Sequence, residues 1–205
     1  GLEYIRQLAA IAPVLPLSEV RQWVGFGMKL IQPNAIGNPD YLGTLEFLRT
    51  SPAILGDLEQ PVLRPKVLSL GAVLAEHSPE SAIAWLAEAP ALLRTLSSVE
   101  WQLKVVQYGG LIAERDAAAT LAYLRRAPEI VAMIGVSPDA VARFENWFKA
   151  GMEVLAYSVE GARAYFGLES QRALASVEQA LSGVPLRQVA RTIKLFVQGL
   201  CGSDV

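Results

Sequence analysis

Residues that build catalytic and metal sites are scarce in this chain of 205 residues, which contains one cysteine, Cys201, and one histidine, His77. A single cysteine excludes a disulfide within the chain and fits a reducing compartment, so we expect a cytoplasmic protein. A zinc site normally takes several Cys or His ligands, and one of each, far apart in sequence, argues against it. The Gly-x-Ser-x-Gly, P-loop and Glu-x-x-His motifs are also missing. We therefore expect no catalytic residue, no metal and no cofactor.

Both of these single residues have ordinary structural explanations. His77 stands at a predicted helix end, where an imidazole can meet exposed carbonyls, and the alternative is a functional proton carrier. Cys201 is expected to be a small buried apolar residue near a helix end, the alternative being a reactive thiol.

Long apolar runs and an excess of one charge are missing as well. The longest uncharged stretch, 7–18, has twelve residues and contains Pro13 and Pro16, whereas a membrane-spanning helix needs about 20 apolar residues. The formal net charge is −2, which gives no basic face for nucleic acid. The start of the chain has no signal-peptide pattern. These absences exclude a membrane span and argue against nucleic-acid binding.

What the sequence does contain is a repeat. An aromatic residue stands five positions before a proline in three segments, 38 residues apart: 47–52, 85–90 and 123–128. A second echo at the same offset relates 71–76 to 109–114. A fixed period of this size is typical of helical repeats, and the apolar steps of three and four residues favour helices over strands. We expect an all-α fold, a helical-repeat array (an α-solenoid or α-α superhelix, HEAT- or armadillo-like) with units of about 38 residues.

The repeat predicts the organisation of the chain. We expect a single helical-repeat domain over 1–205, with an N-terminal capping helix at 1–15, repeat units at 16–59, 60–97 and 98–136, and a divergent C-terminal unit at 137–205. A loop at 32–39 lengthens the first unit. In the last unit the interval grows from 38 to 42 residues and the proline is missing. The chain opens on Gly1, and we expect it to be part of a longer protein.

The third unit shows the local pattern. Positions 99–115 predict one helix, and 117–126 predict a second, which Asp116 can cap. Pro128 is expected to begin a short third helix, because proline fits a first turn better than a helix interior, and Gly135 is expected to end it. Gly71 and Gly109 lie inside predicted helices at a cost of about 1 kcal/mol each relative to alanine. Close approach of a neighbouring helix could offset that cost.

Two further groups were weighed as candidate sites. Glu145 and Glu153 lie two turns apart on one predicted helix, about 12 Å, which exceeds the usual separation of a glycosidase pair, so solvated charge is the simpler interpretation. The last unit is rich in aromatic residues, at 144, 147, 148, 157, 165 and 166. Their helical spacing favours core packing, and the alternative is an exposed patch that anchors a partner.

Two C-terminal segments carry a family resemblance: 159–173, with the sequence VEGARAYFGLESQRA, and 189–202, which includes IKLFVQGLCG. Both resemble the helical region that precedes the von Willebrand factor A domain in NorD- and CbbO-type proteins, and the upstream repeat is similar to the N-terminal part of that family. The resemblance implies an adaptor that pairs with a MoxR-type AAA+ ATPase to activate or mature a target enzyme, nitric oxide reductase or Rubisco in the named branches. The family's metal site begins with Asp-x-Ser-x-Ser, which this chain lacks, so the resemblance transfers no metal ligand.

We therefore expect a noncatalytic scaffold for protein–protein interaction, with a MoxR-type AAA+ ATPase or its target enzyme as the partner. Basic residues of the last unit form the candidate interaction surface: Arg163, Arg172, Arg187, Arg191 and Lys194. Two alternatives stay open. An apolar groove could bind a lipid or small molecule, or the array could hold an unrecognised acidic active site.

Overall fold

The computed structural model describes residues 2–31, 41–167, 190–195 and 198. The regular structure in these ranges is nine α-helices and a further helical segment at 190–195, with no strand. The helices are α1 (Leu2–Ile11), α2 (Leu17–Ile31), α3 (Tyr41–Gly56), α4 (Leu63–His77), α5 (Pro79–Arg94), α6 (Val99–Ala113), α7 (Ala117–Ile134), α8 (Ala140–Tyr157) and α9 (Val159–Gly167). The all-α prediction is confirmed for this part of the chain. None of its helices is both long enough and apolar enough to cross a bilayer.

Packing between helices divides the chain into two compact units, 1–117 and 118–205. In the first unit α4 lies between α2 and α6, and α3 lies between α1 and α5. In addition, α2 packs on α3 and α4 packs on α5, so these helices form consecutive pairs. The first helices of the pairs lie in one row and the second helices in another. This neighbour-by-neighbour order is that of a helical array.

The spacing of the helices follows the sequence echo only in part. The second helices α3, α5 and α7 begin at positions 41, 79 and 117, at intervals of 38 residues. The first helices α2, α4 and α6 begin at 17, 63 and 99, at intervals of 46 and 36. The 38-residue unit, the unit boundaries and the one-domain organisation therefore stay predictions. The loop at 32–39, the end of the chain beyond 198 and Cys201 lie outside the described residues.

The repeated prolines lie inside helices, which corrects the prediction that Pro128 begins a new one. Pro52, Pro90 and Pro128 fall within α3, α5 and α7, and α7 runs unbroken from Ala117 to Ile134. An interior proline removes one helical hydrogen bond and costs about 3 kcal/mol. Burial of the surrounding surface offsets this cost, since Pro52 and Pro90 are themselves buried. Gly135, with φ of 70°, follows the last residue of α7 as predicted.

Buried aromatic donors tie the two helices of a pair together. Trp23 Nε1 donates to Ser51 Oγ at 2.7 Å, joining α2 to α3. Trp85 Nε1 donates to the Val67 carbonyl at 3.0 Å, joining α5 to α4. A buried donor left without a partner costs free energy. These bonds therefore favour one alignment of the two helices in each pair.

Serine residues define several of the tight connections. Ser78 is the only residue between α4 and α5, and its Oγ accepts from the first-turn N–H of Ser81 at 3.1 Å. Ser98 begins α6 in the same way, accepting from the N–H of Trp101 at 3.3 Å. Each N-cap stabilises its helix by about 1 kcal/mol. At the N-cap of α8, by contrast, Asp139 makes no side-chain cap bond.

Two helical glycines mark close approaches between helices. A Cβ on Gly71 in α4 would stand 2.5 Å from Cε1 and 2.8 Å from Cζ of Phe26 in α2. A Cβ on Gly151 in α8 would overlap the rings of Tyr165 and Phe166 in α9. The expected structural use of Gly71 is thus confirmed, because only glycine leaves room for the facing ring.

The second unit has an aromatic core. Tyr123 in α7 stacks on Trp147 in α8, with ring centroids 5.6 Å apart, and meets Phe166 in α9 edge-on at 5.5 Å. Phe144, Phe148 and Tyr165 are buried as well. Core packing is therefore the correct interpretation of five of the six aromatic residues predicted in the last unit, whereas Tyr157, at the end of α8, is 42% exposed.

Candidate functional site

The basic residues predicted as an interaction surface do not form one cluster in the described structure. Arg163 is exposed on α9, and Arg191 and Lys194 are exposed in the segment 190–195. Arg191 is engaged within the chain, because its Nη2 lies 3.6 Å from Oε1 of Glu153. Arg172 and Arg187 lie outside the described residues. The candidate surface thus stays a prediction.

The residues considered as catalytic candidates lie on α4 and α8. Glu145 lies 3.8 Å from the Lys149 ammonium, while Glu153 faces Arg191, so each carboxylate has a basic neighbour. His77 ends α4 and is exposed. Nowhere in the described ranges do three His, Cys, Asp or Glu residues gather as metal ligands would.

Tyr165 is a buried ionisable group whose pKa is shifted. Burial raises the pKa of Tyr165 well above its usual value, because removal from water disfavours the phenolate. Its hydroxyl donates to the Trp147 carbonyl at 2.8 Å. The raised pKa therefore follows from a hydroxyl that ties α9 to α8 inside the core, a structural role.

An open groove lies between α4 and α6 in the first unit. It encloses about 440 Å³, within the range of known binding sites. Apolar side chains form most of its walls: Leu70 and Val73 from α4, and Leu103, Val106 and Leu111 from α6. Leu111 is 44% exposed, so part of this apolar surface faces solvent directly.

Glycine forms part of the groove on α6. A Cβ on Gly110 would meet no atom within 4 Å, whereas a Cβ on Gly71 in α4 would clash with the ring of Phe26. The glycine therefore leaves the groove deeper than any other residue would. A helix interior glycine costs about 1 kcal/mol relative to alanine, and at Gly110 no internal packing offsets that cost.

A comparison of neighbouring helices explains why the groove is open. In each first helix of the unit a large residue precedes the repeated glycine, giving Phe26-Gly27, Leu70-Gly71 and Tyr108-Gly109. The line of contact between two neighbouring first helices is called a seam. In the α2–α4 seam the ring of Phe26 packs directly on Gly71 and fills the space between the helices. In the next seam the equivalent residue is the smaller Leu70, a wall of the groove. The α4–α6 seam therefore lacks the ring that closes the α2–α4 seam.

Charged residues stand at opposite ends of the groove. The chain reverses between α4 and α5 and again between α5 and α6, so α4 and α6 run in the same direction. Lys66 lies in the first turn of α4 and Glu114 caps the end of α6. Both line the groove and are exposed. Within the described part of the chain neither has an ion-pair partner, whereas Glu76, the counterpart of Glu114 in the echo, is bound by Lys29.

Sequence reasoning identified the parts of this groove without the groove itself. The helix predicted over 99–115 includes Leu103, Val106 and Gly110, which all line the groove. The available signal was a change within the echo, since Gly110 stands where the preceding copy has Ala72. Comparisons with known protein families, with curated proteins and with solved structures gave no match.

Proposed function

We propose that this chain is a noncatalytic helical scaffold that binds another protein through the α4–α6 groove. The supporting observation is an open apolar groove of about 440 Å³ whose wall includes Leu111, which is 44% exposed. Helical arrays commonly bind partners along the surface of a row of helices. Exposed apolar surface rimmed by polar residues is typical of such contacts.

The proposed partner follows from the family resemblance. A chain similar to the N-terminal region of NorD- and CbbO-type proteins would serve as an adaptor, in the cytoplasm, for a MoxR-type AAA+ ATPase or for the enzyme which that ATPase activates. The part of the resemblance at 159–167 lies on α9, in the other compact unit. The groove and the C-terminal segments would then supply separate contacts of one adaptor.

The shape of the groove favours a protein over a lipid or small molecule. Sites for small apolar ligands usually bury most of the ligand surface, whereas this groove lies along two helices and is open to solvent at Leu111. A protein segment needs cover on one side only, because its other side stays with its own protein. This argument supports the scaffold and gives no support to an acidic active site.

The test is direct binding to purified candidates. The chain is immobilised, and a MoxR-type AAA+ ATPase from the same genome and its target enzyme are passed over it separately and together. Saturable binding of at least one of them supports the proposal. If neither binds, with nucleotide present or absent and with the chain shown to be folded by circular dichroism, the adaptor role is refuted.

A further inference from the structure

The occupant of the α4–α6 groove can be specified further, on the basis of the proposed protein-binding function. We propose that the groove takes a peptide segment with one aromatic anchor, whose ring lies over Gly110, flanked by an acidic residue toward Lys66 and a basic residue toward Glu114. The internal template is Phe26 on Gly71, an aromatic ring packed on a helical glycine one seam away. The counterpart of Gly71 in α6 is Gly109, the residue before Gly110.

Two residues that line the groove, Leu70 and Gly110, are smaller than their counterparts in the preceding copy. Leu70 replaces the ring-bearing residue of the preceding seam, and Gly110 replaces Ala72 of the preceding copy. The space beside Gly110 is open to at least 4 Å. An aromatic ring suits a space of this kind because it buries a large apolar area with few rotatable bonds.

The two ends of the groove carry opposite charges. From Leu103 to Glu114 the wall of α6 spans eleven residues, or about 16 Å. Lys66 and Glu114 thus bracket the apolar part with opposite charges, and the negative end of the α6 dipole adds to Glu114. Charges on the rim contribute more to the choice and orientation of a partner than to its affinity. A segment with charges of opposite sign on either side of its anchor complements this arrangement.

The probes are three fluorescein-labelled peptides of twelve residues with Glu near one end and Arg near the other, in an Ala and Gln background. Their central residue is Phe, Leu or Ala. Fluorescence anisotropy measures their affinity for the whole chain. We expect the Phe peptide to bind about 10- to 100-fold more tightly than the Ala peptide, as burial of one aromatic side chain implies, with the Leu peptide between them.

Matched variants locate the binding. Gly110→Leu fills the groove, and Gly25→Leu makes the same change on α2, at another helical glycine with nothing within 4 Å of its Cβ. The Phe peptide should lose at least 10-fold in affinity for Gly110→Leu and keep its affinity for Gly25→Leu. Glu114→Lys should weaken binding about two- to fivefold, as expected for a rim charge. Should Gly110→Leu misfold, Leu111→Glu at the exposed wall replaces it, with Leu45→Glu on α3 as its control.

The outcomes separate this inference from the proposed function. Equal affinities for the Phe and Ala peptides, or a Phe peptide that binds Gly110→Leu as tightly as the unaltered chain, overturn the aromatic anchor even if the ATPase or its target binds. Titration with laurate tests whether the groove binds a lipid chain instead of a peptide. If laurate binds in a Gly110-dependent way and none of the peptides does, the groove belongs to a lipid chain and the inference is wrong.

Discussion

Substituting Gly71 by alanine perturbs the closest approach between helices in the first unit. The new methyl group would stand 2.5 Å and 2.8 Å from two carbons of the Phe26 ring, well inside the 3.5–4.0 Å at which carbon atoms attract one another. Phe26 is fully buried, and its ring centroid lies 4.4 Å from that of Phe47. Because the ring is buried among its neighbours, the methyl group can be accommodated only if the ring or the two helices shift.

The size of the effect follows from two opposing terms. Overpacking of a well-packed core costs about 1–3 kcal/mol, and the confined ring places Gly71→Ala near the upper end. Replacing a helical glycine by alanine stabilises the helix by about 1 kcal/mol. We therefore expect Gly71→Ala to lower the free energy of unfolding by about 2 kcal/mol.

Urea denaturation followed by circular dichroism measures this free energy. Two control variants make the same change where there is open space, Gly25→Ala on α2 and Gly110→Ala in the groove. Without a clash, both should gain up to about 1 kcal/mol from helix propensity. A Gly71→Ala variant as stable as either control would refute the close approach of α2 and α4, and with it the template used for the groove.

Two further predictions concern individual hydrogen bonds. Tyr165→Phe removes a buried donor to the Trp147 carbonyl and should cost about 1 kcal/mol at neutral pH. Because burial raises the pKa of Tyr165 above its unfolded value near 10, the native stability it supports is fully present below pH 10 and falls above it. Urea denaturation from pH 9 to 11 should show a shallower decline for Tyr165→Phe, and parallel curves would contradict this. Ser98→Ala removes the N-cap of α6 and should lower the free energy of unfolding by about 1 kcal/mol in the same assay. The control is Ser97→Ala at the exposed neighbouring residue, which should change the free energy of unfolding by less than about 0.5 kcal/mol.

Much of the helical architecture could be predicted because its signals are local. The start of α6 at Val99, the start of α7 at Ala117 and the end of α7 before Gly135 all follow from capping, periodicity and glycine conformation. The aromatic core of the second unit follows from spacing alone. These features depend on residues within a turn or two of one another, which a single sequence displays directly.

The prolines and the groove depend on contacts between distant residues. Pro128 looks like a helix start, because the local cost of an interior proline is high, yet packing around α7 carries the helix through it. The groove lies where Leu70 on α4 and Gly110 on α6 both line the space between the two helices. Neither residue is unusual in its own helix. Only the packing of α4 beside α6 turns two ordinary residues into an open site.

The central claim is that a partner protein binds along the α4–α6 groove, and site-specific photocrosslinking tests it most directly. Benzoylphenylalanine replaces Leu111 on the groove wall in one variant and Leu45 on α3 in the control variant. The two leucines have similar exposure, 44% for Leu111 and 36% for Leu45. Each variant is irradiated with the purified MoxR-type ATPase and target enzyme. We expect a covalent adduct with one of them from position 111 and none from position 45. Adducts of equal yield from both positions, or an adduct from position 45 alone, would contradict the account.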